Sequence, residues 1–333
     1  MAGFRVYPYR TAASSPEPET TRETRIRDRT AAAIVASGTP AAAARLGRGR
    51  SAALASRLEA TAAKAGNVHP AAAFIDLSHD ELVAAGEAIA APLDLAAVRP
   101  LGRTILDAVT ASRRVTRSNA NLGIVLAVAP LAAVPDGIPL SPAAAAAVLA
   151  AATPDDARDV YAAIALANPG GMGRRDEWDI AGPAPPSLLD AMRAAADRDQ
   201  IARLWARGYE PLFAGPVADI AVEIERGLSL GAAIERSHLA QLAREPDTLI
   251  ARKHGAAAAH DVSARAAAVL AAGADWPAGA ADLDRFLRAQ RMNPGTTADL
   301  VAAALYILLV TGRLGGLLGD SPTIDSTLRH DRP

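Results

Sequence analysis

The 333-residue chain contains no cysteine, which excludes disulfides, thiolate metal sites and cysteine nucleophiles. Aromatic residues make up only 4%, and Val, Ile and Thr are too scattered to supply strands. Lysine is almost missing: of 35 Lys plus Arg, only Lys64 and Lys253 are lysines. Where charge alone is wanted the sequence uses Arg, so a retained Lys marks a place that needs a compact ammonium. The formal net charge of −1 argues against a general nucleic-acid partner. Apolar runs are short. The longest, Leu122 to Val134, is interrupted by Pro130, falls below the ~18–20 residues that span a bilayer, and reads as a buried helix. Arg25, Arg27 and Arg29 ahead of Ala31 to Ala44 imitate a signal peptide poorly, because the cluster lies too far in and Gly38-Thr39-Pro40 splits the apolar part. A cytoplasmic protein with no membrane association is expected.

What the chain does have is alanine, leucine and arginine, all helix formers, and half of it is hydrophobic. Residues 1–48, rich in Arg, Thr, Ser and Pro, read as a disordered basic tail. From there to residue 315 the pattern is a succession of helices. Ser78 and Glu81 form a capping box opening a helix to about Ala97. Ser141-Pro142 and Thr153-Pro154 are helix starts with proline at the first helical position. Gly66 reads as the cap of a helix over 52–65, Ser187 to Arg207 as one long helix, and Pro246 to Gly255 as a polar segment. No alternating strands and no βαβ rhythm occur, so the expected fold is all-α, a single multi-helical domain of about eleven helices over 49–315. Residues 316–333 are expected to be a frayed tail. Neither a dinucleotide fingerprint nor a Walker loop is present.

Four polar breaks stand out in so alanine-rich a chain: Glu59 to Asp76, Ser118 to Gly123, Pro246 to Gly255, and Asn293 to Asp299. Asparagine is confined to Asn67, Asn119, Asn121, Asn168 and Asn293, all in polar, Gly- or Pro-associated breaks between apolar runs. Each break lies at a helix end, where free N–H groups accept phosphate. Glu59, Asp76, Asp247 and Asp299 are possible oxygen ligands for Mg²⁺, which suits a polyphosphate substrate. Lys64, Arg252 and Lys253 are available to neutralise the phosphates. Pro294-Gly295 forces a turn, Thr296 or Thr297 is placed to cap the helix that follows, and Asp299 falls in its first turn. His69, His79, His254 and His260 lack any spacing typical of a histidine metal site.

The ordered set Glu59…Lys64-Ala65-Gly66-Asn67-Val68-His69-Pro70, Asn119-Ala120-Asn121-Leu122-Gly123, Pro246-Asp247-Thr248-Leu249-Ile250-Ala251-Arg252-Lys253-His254-Gly255 and Asn293-Pro294-Gly295-Thr296-Thr297-Ala298-Asp299-Leu300 resembles the triphosphoribosyl-dephospho-CoA synthases. The resemblance covers about residues 51–312 and implies an all-helical transferase acting on ATP and 3′-dephospho-CoA with Mg²⁺. It departs from the family where Lys64-Ala65-Gly66 replaces the usual Lys-Pro-Gly, and where Ala73-Phe74-Ile75 precedes Asp76 in place of Gly-Ala-His. The resemblance is therefore to a divergent branch. A different cofactor-type acceptor, of a one-carbon or pterin-type pathway, and a non-catalytic nucleotide-binding helical protein are the alternatives.

The implied reaction breaks an N-glycosidic bond through an oxocarbenium-like state. On that reading Glu59 and Asp76 bind metal, and Asp247 is the base. Asp299 holds a second metal or orients a hydroxyl. Lys64, Arg252, Lys253 and the Thr296-Thr297 helix start bind phosphate. Asn119 and Asn121 bind ribose or adenine edges, and Gly66, Asn67, His69 and Asn293 complete the substrate-binding set.

Overall fold

A computed structural model describes residues 46–73, 77–174 and 176–314. Among them are fourteen helices of seven residues or more and no strand, only an isolated bridge between His69 and Ala72. No helix among the described residues is long and apolar enough to cross a membrane. The tail expectation for residues 1–45 and that for residues 315–333 lie outside the described residues. Arg48, by contrast, opens the first described helix, Arg48–Thr61, and donates to the Val134 carbonyl at 2.9 Å and Asp136 Oδ1 at 2.8 Å.

The centre of the molecule is the helix Gly295–Val310, with thirteen of its sixteen residues buried. Its apolar residues run round the whole circumference, so it has no solvent face and must be enclosed by other helices. Arg48–Thr61, Leu122–Ala132 and Leu230–Arg244 pack against it. Ala302-Ala303-Ala304 supply small surfaces that let these neighbours approach. A second, smaller core joins Leu230–Arg244 to Ala256–Ala271 and Trp276–Ala289 through Leu239, Leu242, Val262, Leu283 and Leu287.

Leu122–Ala132 is almost as enclosed, with ten of eleven residues buried, although Pro130 sits inside it. Proline has no N–H, so the carbonyl four residues back, that of Leu126, loses its helical donor. Trp205 supplies the replacement, its Nε1 donating to the Leu126 oxygen at 3.0 Å, and Tyr209 Oη donates to the neighbouring Ala127 oxygen at 2.8 Å. Both side chains are fully buried. Trp205→Phe strands a buried carbonyl and is expected to cost about 1–3 kcal/mol of stability. An unchanged urea midpoint would contradict this account of the replaced donor.

There are more helices than the eleven expected, because two segments hide caps that apolar periodicity passes over. Ser187 to Arg207 divides into Leu188–Ala195 and Gln200–Ala206, where Asp199 Oδ1 accepts from the amides of Ile201 at 2.9 Å and Ala202 at 3.0 Å. The polar segment Pro246 to Gly255 holds the helix Thr248–His254, capped by Asp247. The Ser78–Glu81 capping box forms, but its helix ends at Ala88. A short turn, Ala90–Asp94, continues the segment beyond it. Gly66 does not cap a helix: Arg48–Thr61 ends earlier, at an extended Ala62.

Candidate active site

One cavity of about 1340 Å³ opens where the ends of several helices meet. Its polar end is built by three helix starts tied together through side chains. Asp247 is the knot. Its Oδ1 caps its own helix, accepting from the Leu249 and Ile250 amides at 2.8 and 3.0 Å. Its Oδ2 accepts from the Thr297 amide at 2.8 Å and the Thr297 hydroxyl at 2.9 Å. Thr248 N donates to Gln200 Oε1 at 3.2 Å, and Thr248 Oγ1 lies 3.3 Å from Thr296 Oγ1. Asp199 Oδ2 accepts from Arg252 Nη1 at 2.6 Å.

Several sequence expectations change here. Neither Thr296 nor Thr297 caps Gly295–Val310. The residue at the cap position is Pro294, and the first-turn donor of Thr297 is satisfied by Asp247 from another helix. Asp247 is wholly buried, does not line the cavity, and spends both oxygens on four donors. Burial pushes its carboxyl up, against hydrogen bonds that favour the ionised form. It is a strut whose oxygens are taken by four donors, set behind the cavity wall.

Lys64 is placed in the same way. It is fully buried and off the cavity wall. Its ammonium is 3.0 Å from Glu59 Oε1 and also donates to the carbonyls of Glu59 and Ala62, at 3.2 Å for the latter. Three donors meet three acceptors, so none remains for phosphate. Gly66 holds a left-handed turn (φ 77°) against Leu287 and Pro294, where a Cβ would come within 2.7 Å of Leu287 Cδ1. The Gly66 amide donates to Asp284 at 2.8 Å. His69 exchanges backbone hydrogen bonds with Ala72, and burial followed by the Arg288 charge lowers its pKa. Thr297 and Asn121 also stand behind the wall, and Asp76 lies outside the described residues.

On the wall itself are Glu59, Asn67, Asn119, Arg252, Lys253, Asn293, Thr296 and Asp299. The four sequence breaks thus converge on one cavity. Residues 47–316 match the CitG family model, ATP:dephospho-CoA triphosphoribosyl transferase.

The chain belongs to this family.

It is accordingly a transferase. It is also similar to the crystal structure of a protein from Archaeoglobus fulgidus described as a candidate triphosphoribosyl-dephospho-CoA synthase. The two are 25% identical with a TM-score of 0.54, over 70% of this chain and 98% of that one. No curated protein gives a significant match.

Two acids and two cations mark the polar end of the transferase cavity. Asp299 makes no hydrogen bond among the described residues and lies against the first turn of Leu122–Ala132. It is so close that a Cβ at Gly123 would be 1.9 Å from its Oδ2. Only glycine fits there. Asp299 is deep in the wall yet partly open to the cavity. Burial, together with the charges of Glu59, Asp247 and Asp199, holds its carboxyl well above the usual carboxylate range. Lys253 forms no ion pair among the described residues, and Arg252 keeps a buried Nε without an acceptor. Gly295 and Thr296, which start the central helix, also line the cavity, so the positive end of that helix lies at its wall. Asn67 Nδ2 donates to Asn293 Oδ1 at 2.8 Å, holding two of the breaks together.

Elsewhere the wall mixes apolar side chains, Ile164, Met172, Ile180 and Met192 with Tyr161 and Trp178, with the charged Asp176, Glu177, Asp179 and Arg198. Sequence reasoning missed Asp199, Arg198 and Tyr161 on this wall. Asp199 carried a findable signal, an acid just ahead of Gln200-Ile201, but it sat inside an unbroken helical period. Nothing local distinguishes Arg198 or Tyr161.

Proposed function

We propose that this transferase moves the 5-triphosphoribosyl group of ATP to the 2′-hydroxyl of 3′-dephospho-CoA and releases adenine, making a prosthetic-group precursor. The observation that carries the reading is that all four polar breaks line one cavity, which also has apolar and aromatic surface. Its volume of about 1340 Å³ exceeds the ~300–1,000 Å³ usual for a single ligand, as two substrates side by side require.

Lys253, Arg252 and the free amides of Gly295 and Thr296 face a polyphosphate at the charged end. Glu59 and Asp299 fit a Mg²⁺ ion there: both are desolvated acids on one wall, and Asp299 forms no ion pair among the described residues. Among the described residues no three His, Asp or Glu form a protein-only metal cage. Mg²⁺ on a polyphosphate does not need one, since it takes one or two carboxylates and fills its shell with phosphate and water. When bound, the ion neutralises part of the ~four negative charges of the triphosphate.

With the triphosphate held still, the bond that breaks is the one between the anomeric carbon and adenine. The acceptor hydroxyl oxygen bonds to that carbon, the departing electron pair goes to the adenine ring nitrogen, and the hydroxyl proton ends on adenine. The sugar passes through an oxocarbenium-like state, which ionised carboxylates facing the cavity stabilise.

Incubation with ATP, Mg²⁺ and dephospho-CoA is expected to release adenine in proportion to dephospho-CoA consumed. The product should have the mass of both substrates less adenine. Adenine formed without dephospho-CoA, or only with another cofactor-type acceptor, overturns this assignment.

A further inference from the structure

The geometry points to Trp178 as the stacking platform of a purine subsite, an inference that rests on the triphosphoribosyl-transfer reading. Twelve aromatic residues occur in the whole chain, and on the described wall of the cavity only Tyr161 and Trp178 are aromatic. Tyr161 is buried, and its hydroxyl donates to the Trp178 carbonyl at 3.0 Å. Trp178 remains 37% exposed, whereas Trp205 and Trp276 are buried in the cores. A large aromatic left open in a cavity, with its backbone tied down by a neighbour, is placed to offer a ring face rather than to fill a core.

The backbone gives a second, independent sign. Trp178 has φ 52°, a left-handed conformation that a bulky side chain rarely adopts. Such strain persists where surrounding structure over-determines it, and it gathers at ligand sites. The loop carrying it starts at the left-handed Asn168 that ends Pro154–Ala167. It then passes beside the cationic helix end: a Cβ at Gly171 would lie 3.3 Å from Arg252 Cβ, and one at Gly170 would lie 3.5 Å from Lys253 Cε. The platform therefore stands on the same loop that borders the proposed phosphate end.

Charge decides which part of a nucleotide it takes. Asp176, Glu177 and Asp179 flank Trp178 on the wall, so a phosphate would be repelled there. An uncharged base is tolerated, and its amino group meets acceptors. Met172, Met192 and Ile180 provide polarizable and apolar surface for a planar ring. The ligand chemistry is an adenine ring, carried by ATP, by dephospho-CoA, or by both.

Tryptophan fluorescence reads this directly, because Trp178 is the accessible one of three. ATP alone, dephospho-CoA alone and adenine are titrated separately into the full-length protein, beside tripolyphosphate and 4′-phosphopantetheine, which lack a base. Quenching by at least one adenine compound and by neither base-free compound is expected, and the arm that quenches identifies the source of the base. Trp178→Phe should lose the quench while retaining affinity within a few-fold. Trp178→Ala should weaken the quenching ligand by about fivefold to a hundredfold, measured by calorimetry. Equal quenching by tripolyphosphate, or unchanged affinity in Trp178→Ala, overturns the subsite. Quenching that holds while no adenine is released with dephospho-CoA would instead overturn the transfer reading and leave the subsite standing.

Discussion

Lys64→Met is expected to destabilise the folded chain by about 3–5 kcal/mol, because it removes one partner of a buried ion pair and leaves the other charge uncompensated. The Lys64 ammonium is wholly buried against Glu59 Oε1 at 3.0 Å and two backbone carbonyls. Lys64→Arg keeps the charge but cannot match that pocket, since a planar guanidinium is larger and presents its donors in a fixed fork. It too should unfold at lower urea. Removing both charges in Lys64→Met/Glu59→Gln should recover part of the lost stability, because no charge is then stranded. Urea midpoints of the wild type, Lys64→Met, Glu59→Gln and the double variant form the cycle. A double variant no more stable than Lys64→Met would show that the ion pair is not what the lysine stabilises.

The second large effect is at Asp299, where function and stability pull in opposite directions. Asp299→Asn is expected to reduce turnover by about a hundredfold or more, since a neutral amide cannot balance positive charge on a metal or a sugar. The wild-type enzyme should lose kcat/KM as pH falls through a carboxyl pKa above the usual range, because ionised Asp299 is required and burial beside Glu59, Asp247 and Asp199 raises that pKa. The stability consequence has the other sign. A carboxyl with a raised native pKa binds its proton more tightly in the folded state. Folding therefore loses stability as pH rises from the unfolded pKa to the folded one, and the penalty is complete above it. Asp299→Asn has no such penalty. Its melting temperature should match the wild type's near pH 4 and exceed it by a few degrees above neutrality. Equal melting temperatures across that range, or a variant that still turns over normally, would remove Asp299 from the proposed site.

The two residues were indistinguishable in the sequence from others of their type. Lys64 and Lys253 were the two retained lysines, and both read as phosphate ligands. One is a buried strut and the other faces the cavity. Asp247 and Asp299 both read as catalytic. The first accepts four hydrogen bonds from two helix starts, and the second accepts none among the described residues. Which donors reach a carboxylate depends on elements 50 residues away, as Thr297 is from Asp247, and local spacing carries no record of them.

By itself the sequence determined the all-helical fold, through composition and period, and the caps made within one turn of chain, such as Ser78 with Glu81 and Thr153 with Asp156. It also determined the four polar breaks and their order, which carried the family. These are local or additive properties, decided by residues a few positions apart. Tertiary structure alone decided that the breaks share one cavity, that Trp205 replaces the donor Pro130 lacks, that Asp199 and Asp247 cap and join helices, and that Trp178 stands open on the cavity wall. Each of those rests on the approach of side chains from distant segments, where burial and the presence or absence of a hydrogen-bond partner set what a polar group does.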